Sequence, residues 1–163
     1  MMNSVYLLTG GNLGDRNKNL SKATVLIEQD VGEIVKKSSI YETASWGIND
    51  QPDFLNMVLL VKTNFSAAKL LQALLTIENK MGRQRSVKNA SRIIDIDILF
   101  FNDEVINKTG LTIPHPEIHN RMFVLIPLDE IAGDFIHPVL KKPVKKLLST
   151  SPDKLKVTLL DKK

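Results

Sequence analysis

The chain has no cysteine among its 163 residues. That excludes a disulfide framework and a thiolate metal site, and it permits a reducing compartment. No apolar run approaches the ~20 residues a spanning helix needs. The N-terminal Met1-Met2-Asn3-Ser4 has no basic stretch ahead of a long apolar core, so no secretory leader is expected. Aromatics make up only 6% of the chain, with a single tryptophan, and no RNP-like aromatic cluster is seen. Neither sign of charge dominates: 22 basic against 18 acidic residues leave a net +4. Such a bias suits an anionic small molecule and is too small to argue for nucleic acid. The turn Gly10-Gly11-Asn12-Leu13-Gly14 lacks both the Lys-Ser/Thr of a P-loop and a GxGxxG spacing. What remains is expected to be a cytoplasmic single domain over residues 1–163, long enough to bury a sizeable core; a monomer is expected, though the sequence does not give the oligomeric state.

The informative stretch runs from Arg83 to Phe101. Its second half alternates as Ile94, Asp95, Ile96, Asp97, Ile98. On a strand this places the isoleucines on one face and both carboxylates on the other, with their Cα atoms roughly 6.5–7 Å apart. Two aligned carboxylates repel unless a cation lies between them or one is protonated. Just upstream, Arg83, Arg85 and Arg92 supply positive charge for a polyanion. Metal ions and a phosphorylated substrate follow from that combination.

Elsewhere the pattern is structural. Val5 to Thr9 reads as a strand ending at the glycine turn, which either cradles phosphate or simply allows a tight connection. A helix begins near Asp15, with Leu20, Ala23, Ile27 and Val31 on one face. Ile34 to Thr43 and Phe54 to Thr63 are two β-rich runs, joined by a loop, Ala44 to Asp53, long enough to carry function. Asn56, polar inside an apolar run, is either an end-of-strand amide or a ligand-facing one. Ser66 caps a second helix whose stripe is Ala67, Leu70, Leu71, Leu74, Ile77 and Met81. Glu78, near the end of that helix, is a solvated residue or an arginine partner. His115, held between Pro114 and Pro116, is more constrained than His119 or His137, both read as structural. The order β-α-β-β-α-β implies an α+β ferredoxin-like α/β sandwich with a mainly antiparallel sheet and C-terminal additions. Its helices would cover one face and leave the other free for a site.

Five segments then occur in a telling order: Gly11-Asn12-Leu13-Gly14; Gln51-Pro52-Asp53-Phe54-Leu55-Asn56; Gly82-Arg83-Gln84-Arg85; Arg92 to Leu99; and Pro114-His115 with Asn120-Arg121-Met122-Phe123. Together they resemble the 6-hydroxymethyl-7,8-dihydropterin pyrophosphokinase family of folate biosynthesis, from Val5 to about Ala132. The resemblance implies transfer of pyrophosphate from ATP to the pterin hydroxymethyl group, with AMP released and two Mg²⁺ ions required. By the same resemblance Asp95 and Asp97 are the metal ligands, and Arg83 and Arg92 serve catalysis. Glu78, Arg85, Arg92, Ile98, His115 and Arg121 lie at ATP. Thr43, Phe54, Asn56 and Phe123 hold the pterin, the two phenylalanines as a sandwich around the flat ring.

The chain departs from that family at three points. Many relatives carry a tryptophan and then Gly-Pro before the residue matching Arg92, where this chain has Asn89-Ala90-Ser91. Pro116 replaces an aromatic, and Trp46 occupies a loop position where a smaller residue is common. Trp46 is accordingly a candidate lid over the pterin, or ordinary loop packing. The competing readings are another Mg²⁺-dependent phosphoryl or nucleotidyl transferase, an RNA-binding ferredoxin-like module, and an inactive structural relative.

Overall fold

Strand β1 (Asn3–Gly11) lies between β4 (Phe54–Thr63) and β5 (Asp95–Phe101), antiparallel to both. The computed structural model describes residues 2–44, 52–83 and 92–160; Trp46, Arg85 and Asn89-Ala90-Ser91 fall outside them. Strands β2 (Glu33–Lys37) and β3 (Tyr41–Thr43) follow one another along the far side of β4. A C-terminal strand, β8 (Val157–Leu159), pairs with the outer edge of β3. The sheet order is β5-β1-β4-β3-β8, with β2 also on β4. β6 (Ile106–Lys108) and β7 (Leu111–Ile113) make a separate small hairpin.

Alternation along the strands divides the apolar residues between two faces. Val5 and Leu7, Leu55 to Val61 at every second position, and Ile96 and Ile98 enter one buried cluster with Leu20, Ala23, Ile27, Leu70, Leu74 and Ile77. The last six come from α1 (Arg16–Asp30) and α2 (Ala67–Lys80). Both helices start where their sequences say they should. The Asp15 side chain accepts from the Lys18 N–H and the Ser66 hydroxyl from the Lys69 N–H, satisfying donors that would otherwise be orphaned. Burying Leu70 and Leu74 of α2 contributes about 1.5–3 kcal/mol each.

The other face is not left free, contrary to expectation. Leu8, Val58, Leu99 and Phe100 pack there against Val124, Leu125, Leu128, Val144 and Leu147, which belong to α3 (Met122–Ala132) and α4 (Val144–Thr150). The fold is α+β, with a mainly antiparallel sheet and four α-helices among the described residues. Helices α3 and α4 cover one end of that second face, and the end carrying Gly10, Asn56 and Asp95 stays open as a pocket. No helix of the described residues is long and apolar enough to cross a membrane.

Two irregularities shape the site. Ile34 to Thr43 is not one strand: the Ser38 hydroxyl accepts from the Val58 N–H, and the Ser39 N–H and hydroxyl bond to Glu130 of α3. Side-chain oxygens thus take the place of backbone ladder partners, and the edge bends there. On β5, Ile98 stands opposite Leu7 but Phe100 opposite Tyr6, so Leu99 is an extra residue. The bulge leaves Ile98 and Phe101 on the α1/α2 face and sends both Leu99 and Phe100 to the other. Upstream of it the carboxylates keep their common direction.

Candidate active site

Three adjacent strands build the floor of the pocket through their register. Gly10 pairs with Asp95 on one side and Asn56 on the other, and Leu8 pairs with Asp97. A Cβ on Gly10 would lie 2.1 Å from the Asn56 amide nitrogen, so only glycine lets that side chain fold over β1. Thr43 and Ala44 at the end of β3, Phe54 and Asn56 of β4, Asp95 and Asp97 of β5, and Arg92, Arg121 and Phe123 complete the lining. The volume is about 610 Å³ including the open mouth.

The pocket has two chemically different halves. On one side the phenyl rings each carry a guanidinium: Arg92 lies 5.4 Å from the Phe54 centroid and Arg121 lies 5.7 Å from that of Phe123. In the same pocket the Thr43 hydroxyl and the Asn56 carbonyl oxygen are buried with no hydrogen-bond partner among the described residues. Unpartnered buried polar atoms cost about 1–3 kcal/mol each. Two in one pocket mark a place where a flat, hydrogen-bonding ligand belongs.

The other half is ionic. The Arg83 guanidinium donates to Asp95 at 2.6 Å and pairs with Glu78 at 3.1 Å, and Arg92 donates to the second Asp95 oxygen at 2.9 Å. Burial works against the Arg83 charge, but Asp95 and Glu78 outweigh it and its pKa rises. Among the described residues no arginine is bonded to Asp97. Burial first, then the negative charges of Asp95 and Glu78, push it up to about 7 despite Arg83 and Arg92. A carboxyl so poised favours any cation that joins it to Asp95. The donor set, two hard carboxylate oxygens without sulfur or imidazole between them, fits Mg²⁺ that takes further ligands from phosphate and water. Among the described residues no group of three or more His, Cys, Asp or Glu forms a closed metal cage.

Four expected residues do not line the pocket. Glu78 is 2% exposed, and its carboxylate accepts from the Ile96 N–H and holds Arg83. It braces the acidic strand from behind, and Arg83 is braced in turn. Ile98 packs in the α1/α2 core, on the face away from the carboxylates. The His115 ring accepts from the Glu117 N–H through Nδ1, which puts the proton of the neutral ring on Nε2. Burial, then Arg121, lower its pKa.

One functional position escaped the sequence reading. The Asn12 carbonyl oxygen accepts from the Arg92 N–H, and its amide donates to the Pro52 carbonyl. The Asn12 and Leu13 N–H groups return to the Arg92 carbonyl. A Cβ on Gly11 would lie 2.2 Å from the Ile93 oxygen. The glycine turn therefore seats the Arg92 backbone by close approach, a role its missing GxGxxG spacing could not reveal.

An antiparallel α+β sandwich that opens a carboxylate-arginine floor beside an aromatic and amide slot defines a binder of a polyanion together with a flat polar ring. The 7,8-dihydro-6-hydroxymethylpterin-pyrophosphokinase (HPPK) family model matches residues 6–133. The chain is 42% identical over 144 residues to the 2-amino-4-hydroxy-6-hydroxymethyldihydropteridine pyrophosphokinase of Aquifex aeolicus, covering 88% of this chain and 89% of that one. It is 45% identical over 132 residues to the Bacillus subtilis protein of the same name, covering 80% and 79%. The fold is similar to that of wild-type Plasmodium falciparum HPPK-DHPS in a crystal structure with pteroate, at a TM-score of 0.75 and 20% identity. That match covers 91% of this chain and 42% of the larger one. The chain belongs to the HPPK family.

Proposed function

We propose that the two halves of the pocket are the two substrate sites of one pyrophosphoryl transfer. The chain moves the pyrophosphoryl group of ATP to the hydroxymethyl oxygen of 6-hydroxymethyl-7,8-dihydropterin in folate synthesis, releasing AMP. The observation that carries the residue assignments is the pair of buried oxygens of Thr43 and Asn56, unpartnered among the described residues, in the pocket that Phe54 and Phe123 also line. A pterin presents a flat ring for the phenylalanines and an edge of donors for those oxygens.

In the transfer, the hydroxymethyl oxygen forms a bond to the β-phosphorus as the bond from that phosphorus to the AMP oxygen breaks. The hydroxyl proton passes to solvent water, and AMP leaves with the electron pair. Asp95 and Asp97 would hold Mg²⁺, two ions being expected, and the metal supplies charge neutralisation at the phosphates. Arg83 and Arg92 supply hydrogen-bond donors for the phosphate oxygens as charge spreads over them. Arg121 extends that positive wall, with Arg85 expected to join it, and the neutral His115 ring would offer its Nε2 proton as a hydrogen-bond donor. Asn12 holds the Arg92 backbone in register, and Glu78 does the same for Arg83. Side chains bind, orient and neutralise; none takes on a covalent bond.

The strand succession β5-β1-β4 with β2 and β3 sharing the next place supports the ferredoxin-like arrangement, with α3, α4 and β8 as its C-terminal additions. A monomer is the state proposed, and a cysteine-free chain suits the cytoplasm. One assay with ATP, Mg²⁺ and 6-hydroxymethyl-7,8-dihydropterin tests the function through its products. AMP is expected. ADP would mean a simple kinase and pyrophosphate a nucleotidyl transferase, and either would overturn the reading.

A further inference from the structure

Helix α3 carries Arg121 and Phe123 at its first turn, one on each side of Met122, and both line the pocket. Yet α3 has no side-chain cap of its own: Arg121, in an extended conformation, sits at its N-cap without capping it. The first amide of the helix, the Met122 N–H, donates instead to Asp153, 31 residues further along, at 2.8 Å. The other Asp153 oxygen accepts from the Leu155 N–H at 2.9 Å, which turns the chain toward β8. Strand β8 then pairs Val157 with Thr43 and Leu159 with Tyr41, and the Leu160 N–H donates to the Ile40 carbonyl.

Residues 151–160 therefore touch both walls of the ring-binding slot, α3 through Asp153 and β3 through β8. Glu130 already joins these two elements near the other end of α3, by accepting from Ser39 and from the Tyr41 hydroxyl. With Glu130 alone, the first turn of α3 would be tied to β3 only from two to three turns away. The C-terminal segment closes the loop of contacts at the end where the ligand sits. It lies wholly beyond residue 133, where the family match ends.

We propose that residues 151–160 are a strap across the pterin slot and that Asp153 is a positioning residue, setting the spacing of Phe123 and Arg121 from Thr43. This rests on the reading of that slot as the pterin site. Capping from a distance couples helix position to strap position, because an uncapped first turn loses a hydrogen bond and a favourable charge at the positive end of the helix dipole. The consequence falls on ligand affinity, since the slot narrows or widens with the first turn of α3.

The test is steady-state kinetics on the full chain, varying 6-hydroxymethyl-7,8-dihydropterin at saturating MgATP, for wild type, Asp153→Ala and Asp153→Asn. Asp153→Ala should raise the pterin KM about 3- to 10-fold with kcat within about twofold. Asp153→Asn keeps an acceptor for the Met122 N–H and should restore KM to within about twofold. A lowered Tm with unchanged pterin KM in Asp153→Ala overturns the strap, because a merely structural cap would do just that. If Asp153→Ala does not fold, a chain ended at Lys156, lacking β8 but keeping Asp153, carries the test. A pterin KM equal to wild type in that chain overturns the strap as well. Wild-type protein that forms no AMP would instead overturn the pyrophosphokinase reading, and the role of the strap with it.

Discussion

Arg83, just beyond α2, and Asp95, at the start of β5, are joined by a 2.6 Å ion pair that bridges the 84–91 segment. Arg92 takes the remaining oxygen of the same carboxylate. Asp95 thus anchors two arginines at once, while Asp97 beside it is bonded to neither. A cation drawn to Asp97 must compete with those guanidinium groups for Asp95. The two guanidinium groups offset only part of the negative charge of Glu78, Asp95 and Asp97, so the Asp97 carboxyl still feels the repulsion of its neighbours.

Removing one of the two carboxylates should abolish metal-dependent turnover. Asp97→Ala is expected to lower kcat by at least about 10²-fold at saturating Mg²⁺, measured as AMP release. Turnover near the wild-type value would exclude Asp97 as a metal ligand.

Arg92 is held by its backbone through Asn12 and by its side chain through Asp95. Arg92→Ala should lower kcat and kcat/KM together, since its donors matter most as charge develops on the phosphates. Asn12→Ala should act in the same direction but more weakly, with the pterin KM less affected than kcat. An Arg92→Ala enzyme that changed only the KM for ATP would make this arginine a uniform binder.

Gly10 and Asn56 should behave as one unit. Asn56→Ala removes the buried amide and should raise the pterin KM roughly tenfold, the scale of one buried hydrogen bond. Gly10→Ala should raise it comparably, by pushing that amide aside. The double variant should be far less than additive. Additive losses in KM would separate the two residues.

His137 is a structural histidine, and its titration should appear in stability. It is 5% exposed, and its Nδ1 accepts from the Val139 and Leu140 N–H groups. Burial, with a smaller contribution from His119, lowers its pKa to about 4. An unfolded chain takes up that proton near pH 6.5 and the folded chain does not. The histidine therefore costs nothing above pH 6.5, and the fold loses stability as pH drops from there to about 4. Urea midpoints across that range should fall less steeply in His137→Asn, which keeps an acceptor but cannot titrate. Parallel curves would refute the assignment.

The sequence by itself determined the local facts. The Ile-Asp alternation put Asp95 and Asp97 on one face of a strand, because the side-chain period of two is intrinsic to an extended backbone. Asp15 and Ser66 marked the helix starts for a similar reason: a cap reaches only two or three residues ahead. The ordered motifs were enough to identify the family. Tertiary structure decided what depends on residues far apart in the chain. It split the expected second strand at Ser38–Ile40, because Glu130 of a distant helix offers those residues better partners. It covered half of the second face with α3 and α4, showed why Gly10 and Gly11 must lack side chains, and gave Asn12 its hold on Arg92. None of these has a short-range signature, since each arises from a close approach between segments tens of residues apart.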